Sequence, residues 1–340
     1  MKDDVENTRD FSTVHTNTSS LLGGPQTLTI EDVASMAGAT IEEVRDFWVA
    51  MGFPSPRAEE KVFTENDARL FLRWSTFMAS GAIDTATARS LLRANSHLAD
   101  RLGLWQVEAL VEDTMRRFGL DDTAARMYVL DHIRERVDVL EDVLRHSWRR
   151  QLDALLKRMD REISTRGHEG LQPRFPLNRS LGFVDMVSYT SSSAILGGKL
   201  VDLIGRFEQL SRDAVTDAGG RVVKMIGDAV MYIADDLETG LRVAVSLIEQ
   251  LGADDKMLPV RASFVRGDVF SRSGDVFGPT VNLASRLVDI APVGKILMDP
   301  TTAAAIAAGK AGMEYDVEEF PSATLRGFGT ISPYLLTYRR

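Results

Sequence analysis

The chain has 340 residues and an apolar fraction of 44%, which predict a globular protein of two domains. Its formal charge of −9 argues against a surface built to bind nucleic acid, and the absence of cysteine excludes disulfides and thiolate metal sites. No apolar run reaches the ~18–20 residues needed to cross a bilayer, and the first residues lack a signal-peptide pattern, so we expect a cytoplasmic protein with no membrane partner.

The first 128 residues divide into a polar arm and a run of helices. Residues 1–25 are rich in Ser, Thr, Asn and Gly without apolar periodicity, which predicts a mobile arm. Residues 26–128 predict a domain of short helices, because apolar residues recur at helical spacing and no segment alternates like a strand. Thr29 and Thr40 each precede an acid by three positions and predict capped helix starts, and Thr64 predicts a third.

Residues 129–163 predict one long helix, in which apolar residues recur every three or four positions. Two interpretations stay open: the helix packs on its own domain, or it pairs with its copy in a dimer. Glycines and prolines between 167 and 176 then mark a domain boundary, so residues 129–170 form a connecting helix and linker.

The pattern changes at about residue 178. Predicted strands at 180–187, 222–226, 229–234 and 259–266 alternate with predicted helices at 193–217 and 237–251. The order β-α-β-β-α-β is that of a ferredoxin-like sheet. A loop at 271–278, a helix from Thr280, a strand at 295–298 and a hairpin around 327–329 follow. The predicted fold class is therefore α+β, with residues 171–340 as the second domain.

Two carboxylates are expected to meet in that sheet. Asp185 interrupts the apolar first strand, and Asp228 follows Gly227 in the turn between the second and third strands. The first and third strands of a ferredoxin-like sheet are neighbours, so the two carboxylates lie side by side and repel one another unless a cation binds. Mg²⁺ or Mn²⁺ with phosphate oxygens is the natural partner.

Two further pairs have the chemistry to bind a nucleotide. Lys224 lies in an otherwise apolar strand, and a Lys donor with an Asp acceptor at Asp275 complements the N1 and N6 edge of adenine but not guanine. Asn282 and Arg286 are four residues apart and share one helix face. Asn can hydrogen-bond a ribose, and the planar guanidinium of Arg suits a phosphate.

Together these residues resemble the class III adenylate cyclases over residues ~178–340. The resemblance implies that Asp185, Met186 and Asp228 bind two divalent metal ions, Mg or Mn. It also implies that Lys224 and Asp275 bind the base, that Asn282 and Arg286 are catalytic, and that Arg326 contacts phosphate. Sites of this family form between two catalytic domains, one supplying the metal ligands and the other the remaining groups, so a homodimer is implied.

The sequence departs from that family at Asp268, where many cyclases have a phosphate-binding Arg; Arg266 lies nearby in a different register. The N-terminal half also resembles the helix-turn-helix of a MerR-like regulator. Residues 28–69, however, hold nine acidic and four basic residues, a charge that phosphate repels. We therefore expect no nucleic-acid partner. The resemblance to the cyclases implies a regulatory helical domain, with small molecules or pH as candidate stimuli. His132 and His146 could titrate near neutral pH, although surface histidines without a role are the favoured interpretation.

The predicted function is conversion of ATP to 3′,5′-cyclic AMP and pyrophosphate by a homodimer under control of the N-terminal half. The alternatives are a catalytically weak cyclase fold that binds nucleotide and signals through its helices, or a MerR-like regulator. The sequence does not identify a general base or the stimulus.

Overall fold

The computed structural model describes residues 12–166, 177–187, 189, 199–272, 274–309 and 314–338. The chain divides into two compact units, Met1–Glu169 and Gly170–Arg340, and each has its own apolar core. Within the described ranges, no helix is both long enough and apolar enough to cross a lipid bilayer.

The first unit is built of helices, with one β-bridge between Leu28 and Phe63. Its helices are α1 (Ser12–Leu21), α2 (Ile30–Ala37), α3 (Ile41–Ala50), α4 (Glu65–Ala79), α5 (Thr85–Phe118), α6 (Asp122–His132) and α7 (Arg134–Arg166). Thr29, Thr40 and Thr64 cap α2, α3 and α4, as predicted, and each takes part in a capping box with an acid three residues later.

Within the predicted mobile arm, residues 12–21 form the helix α1. The side chain of Asn17 is buried and donates its Nδ2 hydrogen to the carbonyl of Leu130 at 2.6 Å. The polar composition of this segment did not predict a helix. A tertiary contact of this kind can override the intrinsic helix propensity of the residues. Residues 1–11 of the predicted arm lie outside the described residues.

Two helix boundaries also differ from expectation. α5 is a single helix of 34 residues where shorter helices were predicted, because Asp84 caps its start and no strong terminator occurs before Gly119, which adopts the left-handed conformation at φ 66°. The predicted helix at 129–163 is divided at Ile133, whose carbonyl accepts hydrogen bonds from the backbone of both Arg136 and Val137.

Most of the apolar residues of α7 are exposed, and Val137 and Leu140 are partly exposed. None of its described side chains is buried, and Val139, Trp148 and Ile163 are 64%, 61% and 67% exposed. A stripe of this length is typical of a helix that packs against a further helix. Packing against the described residues of the first unit therefore does not explain why the stripe is apolar.

The second unit is a mixed sheet covered on both faces. Its elements are β1 (Leu177–Met186), α8 (Lys199–Asp217), β2 (Arg221–Ile226), β3 (Ala229–Ala234), α9 (Leu237–Ala253), β4 (Val260–Arg272), β5 (Asp275–Phe277), α10 (Pro279–Ile290), β6 (Ile296–Met298), α11 (Pro300–Ala308), β7 (Tyr315–Glu319), β8 (Ala323–Leu325), β9 (Gly329–Ile331) and β10 (Tyr334–Tyr338).

The sheet order is β2-β3-β1-β4-β6-β10-β7, and β1 pairs antiparallel with both β3 and β4. The predicted β-α-β-β-α-β topology with the first and third strands adjacent is confirmed. The first six residues of the helix predicted at 193–217, residues 193–198, lie outside the described residues. The loop predicted at 271–278 is instead partly β5, because β4 continues to Arg272 and folds back to pair with it.

Apolar side chains on each face of the sheet hold the helices in place. One core includes Phe207 of α8, Leu241 of α9 and Phe264 of β4, all buried. The other includes Leu181 of β1 and Leu287 of α10. This packing holds the turn between β2 and β3 and the outer face of α10 in fixed positions. A functional site requires such rigid elements.

Candidate active site

The end of β1 lies beside the turn between β2 and β3. Asp185 pairs with Ala229 in the register of β1 and β3, and the backbone N–H of Met186 donates to the carbonyl of Asp228 at 3.0 Å. The turn holds two residues, and Gly227 occupies its left-handed position at φ 59°, a conformation that glycine adopts without strain. The structure thus brings the two predicted carboxylates together.

The acidic pair is only partly neutralised by the protein. Arg261 on β4 donates from Nη2 and Nε to Oδ2 of Asp185, at 2.8 and 3.2 Å. Burial raises the pKa of Asp228, and the negative charge of Asp185 raises it as well, whereas a hydrogen bond from the residue's own backbone and the charge of Arg261 oppose this without cancelling it. The site therefore favours a cation. Arg261 was not among the site residues predicted from the sequence, although an arginine in the otherwise uncharged stretch from Val260 to Val265 was a usable signal.

Asp228 is expected to destabilise the metal-free protein. Its pKa is raised in the folded state, so its ionised form is less favourable there than in the unfolded chain, and stability falls as pH rises through that pKa. The neutral variant Asp228→Asn should therefore raise the Tm in the presence of chelator at pH 7 by roughly 1–3 °C. A thermal unfolding series should show this gain vanish below the pKa of Asp228. A lower Tm at pH 7 would contradict it.

Lys224 and Asp275 contact each other directly. Nζ of Lys224 lies 2.6 Å from Oδ2 of Asp275, with the two side chains 37% and 29% exposed. The backbone N–H of Val276 also donates to Oδ1 of Asp275. The ammonium group of Lys224 and the carboxylate of Asp275 are therefore adjacent on the surface formed by β2 and β5. Recognition of a single base by both groups would require this proximity.

Asn282 and Arg286 lie on the exposed face of α10, whose opposite face buries Ala284 and Leu287. Arg286 forms an ion pair with Asp289 on the same helix, with Nη1 3.5 Å from Oδ2. Both predicted catalytic side chains are therefore presented to solvent and accessible to a second molecule.

Of the positions considered for phosphate binding, one is exposed and two are engaged in hydrogen bonds within the sheet. Arg326 is exposed in the turn between β8 and β9. Asp268 accepts a hydrogen bond from Nδ2 of Asn178 at 3.1 Å, so the usual arginine position carries a carboxylate engaged within the sheet. Arg266 does not replace it, because its guanidinium donates to Oγ of Ser180 at 3.0 Å and burial lowers its pKa.

The residues present fit a pair of hard divalent ions. Asp185 and Asp228 supply carboxylate oxygens, and the buried side chain of Met186 leaves its backbone carbonyl as the suitable donor. Among the described residues no group of three or more His, Cys, Asp or Glu could hold a metal. The remaining ligands would therefore come from substrate phosphates and water, as is common for Mg²⁺.

Comparison with known proteins identifies the family. Residues 178–338 match the model of the adenylate and guanylate cyclase catalytic domain. A protein named adenylate cyclase from Glutamicibacter nicotianae is 37% identical over 326 residues, which are 93% of this chain and 80% of that protein. Another of the same name from Streptomyces coelicolor is 32% identical over 94% of this chain and 88% of its own length.

Among solved structures, the catalytic core of a rhodopsin-guanylyl cyclase with converted specificity, in complex with ATPαS, covers 48% of this chain and 97% of its own. Its TM-score is 0.44 and its sequence identity 20%, too low to add to the family assignment.

Proposed function

The chain belongs to the class III adenylate cyclases, and from this premise we propose that it converts ATP to 3′,5′-cyclic AMP and pyrophosphate as a homodimer with shared sites. The observation that carries the proposal is the similarity to named adenylate cyclases along nearly the whole chain. The meeting of Lys224 with Asp275 supports ATP as the substrate. A metal-dependent assay of cyclic AMP from ATP, with GTP as the comparison, tests it directly.

In the proposed reaction, the ribose 3′-oxygen attacks the α-phosphorus of ATP, pyrophosphate leaves, and the 3′-hydroxyl proton passes to a base that the residues do not identify. Asp185, Asp228 and the carbonyl of Met186 would hold two Mg²⁺ or Mn²⁺ ions, which when bound polarise the phosphate oxygens. Asn282 orients the ribose, and Arg286 stabilises the charge that develops on the transferring phosphate. Arg326 contacts the triphosphate.

Sharing of the sites is supported by the exposure of α10. Asn282 and Arg286 face solvent, and the chain holds both the metal-binding and the nucleotide-binding sets. Two chains in a twofold dimer would therefore complete two equivalent sites. The exposed stripe on α7 offers a further surface on which two copies can pair.

Base recognition provides a specificity test. Lys224 donates to N1 of adenine and Asp275 accepts from N6, whereas guanine presents the opposite pattern. Lys224→Glu combined with Asp275→Cys is expected to lower kcat/KM for ATP by roughly 10–100-fold and to relax the discrimination against GTP, because the polar groups that the bound base would cover no longer match adenine. Steady-state kinetics with both nucleotides measure this.

The matched control for base recognition is Lys256→Glu, which reverses the charge of an exposed lysine in the turn before β4. It should leave both nucleotide profiles as in the wild type. Unchanged ATP kinetics in the Lys224 and Asp275 double variant would show that the base is read elsewhere.

Regulation by the N-terminal half is proposed to act through α7. A shared site is sensitive to displacements of ~1 Å, so a change in α7 that alters how two catalytic units meet would alter turnover. Leu140→Pro should break α7, at a cost of ~3 kcal/mol of helix stability, and shift the activity of the full chain to that of residues 170–340 alone. Turnover of the two proteins, measured side by side, gives the comparison.

Leu140→Ala is the control for the proline variant, because it removes the same side chain and keeps a residue that favours the helix. It should retain the activity of the full chain. If a folded, dimeric Leu140→Pro variant keeps the wild-type rate and regulation, α7 only connects the two units and has no regulatory role.

A further inference from the structure

Arg261 contacts two parts of the second unit that the proposed function assigns to different sites of a dimer. It stands on β4 directly opposite Asp185 on β1. Its Nη2 and Nε donate to Oδ2 of Asp185, and its Nη1 donates to the backbone carbonyl of Asp289 at 2.6 Å. One guanidinium thus joins a proposed metal ligand to the last turn of α10.

On the metal side, the contact orients the carboxylate. Both hydrogen bonds are accepted by Oδ2, which leaves Oδ1 of Asp185 for a metal. The side chains of Arg261 and Asp185 are only 25% and 18% exposed. A charge-assisted hydrogen bond shielded to this degree restricts the carboxylate more than a surface ion pair would.

On the helix side, the contact anchors α10. The last carbonyls of a helix have no partner within it, and a cation beside them is favourable because the helix dipole is negative at this end. The same turn holds Asp289, whose carboxylate contacts Arg286 at 3.5 Å. Arg261 therefore holds the end of the helix that presents Asn282 and Arg286.

We propose that Arg261 is a positioning residue that acts on both sites of the homodimer, an inference that rests on the shared sites of the proposed function. In each protomer it orients Asp185 for one site and anchors α10, which serves the other site. The two sites are thereby linked through Arg261 of each chain. A local ion pair without this link would affect one site alone.

Dimers with a single intact site test the link. An Asp185→Ala chain and an Arg286→Ala chain are co-expressed with different tags and purified as the mixed dimer. The one intact site takes Asp185 from the second chain and α10 from the first. Arg261→Gln is then added to one chain at a time. These two mixed dimers are the two arms of the experiment. Their turnover is compared with that of the starting pair, the mixed dimer in which Arg261 is unchanged in both chains.

The expected losses differ between the arms. Arg261→Gln in the chain that supplies Asp185 should lower kcat by roughly 10–100-fold, because the metal ligand loses its orientation. In the chain that supplies α10, it should lower kcat by roughly two- to fivefold, because the helix end loses its cation. Loss in the first arm alone overturns the link between sites, and loss in neither arm overturns the positioning role.

A measurement independent of turnover separates positioning from loss of structure. Arg261→Gln removes a positive charge beside two carboxylates, so the homodimer should bind free Mn²⁺ several-fold more tightly while kcat falls. The affinity for Mn²⁺ is measured by electron paramagnetic resonance. Arg261→Lys keeps the charge but lacks the planar fork, so it should restore wild-type Mn²⁺ affinity without restoring kcat. Recovery of both kcat and Mn²⁺ affinity in Arg261→Lys would overturn the proposal, because charge alone, and not orientation by the guanidinium, would then account for the effect.

Failure of the proposed function can be told apart from failure of this inference. A mixed dimer that is inactive with wild-type Arg261 means that the site is not shared, and the inference is then overturned with it. An active starting pair whose rate is unchanged in both arms refutes only the role of Arg261.

Discussion

Asp185→Asn and Asp228→Asn are each expected to lower cyclic AMP production by at least roughly 100-fold while the chain stays folded. Asparagine preserves the shape of each side chain but removes the negative charge that holds a divalent ion. The two carboxylates adjoin at the end of β1, so neither can replace the other. Mn²⁺-dependent turnover at saturating ATP, with thermal unfolding as the check on folding, measures the loss.

Asp213→Asn is the matched control for the two metal-ligand variants. Asp213 is an exposed acid on α8 of the same unit, and its replacement makes the same change in net charge. It should retain wild-type turnover. Near-normal cyclic AMP production by either Asp185→Asn or Asp228→Asn would refute the metal assignment, whereas a loss in all three variants would trace the effect to charge rather than to ligation.

Two inactive chains should restore activity when they are combined. Asp185→Ala removes the metal side of a site, and Arg286→Ala removes the transition-state side. In an equal mixture about half of the dimers are mixed, and each contains one intact site of two, so roughly a quarter of the wild-type rate should return. Turnover is measured after chain exchange. Different tags on the two chains are used to demonstrate that mixed dimers have formed.

The control for this mixture pairs two defects on the same side. Asp185→Ala with Asp228→Ala leaves the metal side damaged in both chains, so no mixed dimer holds an intact site and no activity should return. Recovery in this pair would show that complementary halves are not required. No recovery in the first pair, with exchange demonstrated, would mean that each chain carries a whole site.

Much of the second unit could be predicted because its signals are local. Asp185 ends an apolar strand, and Gly227 and Asp228 form a two-residue turn, so strand periodicity and turn chemistry were enough to place them. The helical half was harder to predict. Residues 12–21 have a polar composition, and what orders them is a contact between Asn17 and Leu130, 113 residues apart.

The sequence by itself determined the order of strands and helices in the second unit, the adjacency of Asp185 and Asp228, and the residue types available for metal and base. The order of elements and the residue types follow from periodicities and turns that span a few residues, and the adjacency follows from the ferredoxin-like topology that this order indicates. Only the tertiary structure decided that Lys224 meets Asp275, 51 residues away, and that Arg261 meets Asp185, 76 residues away. Such contacts depend on strand register and on the packing of the sheet, and no local pattern in the chain encodes either of them.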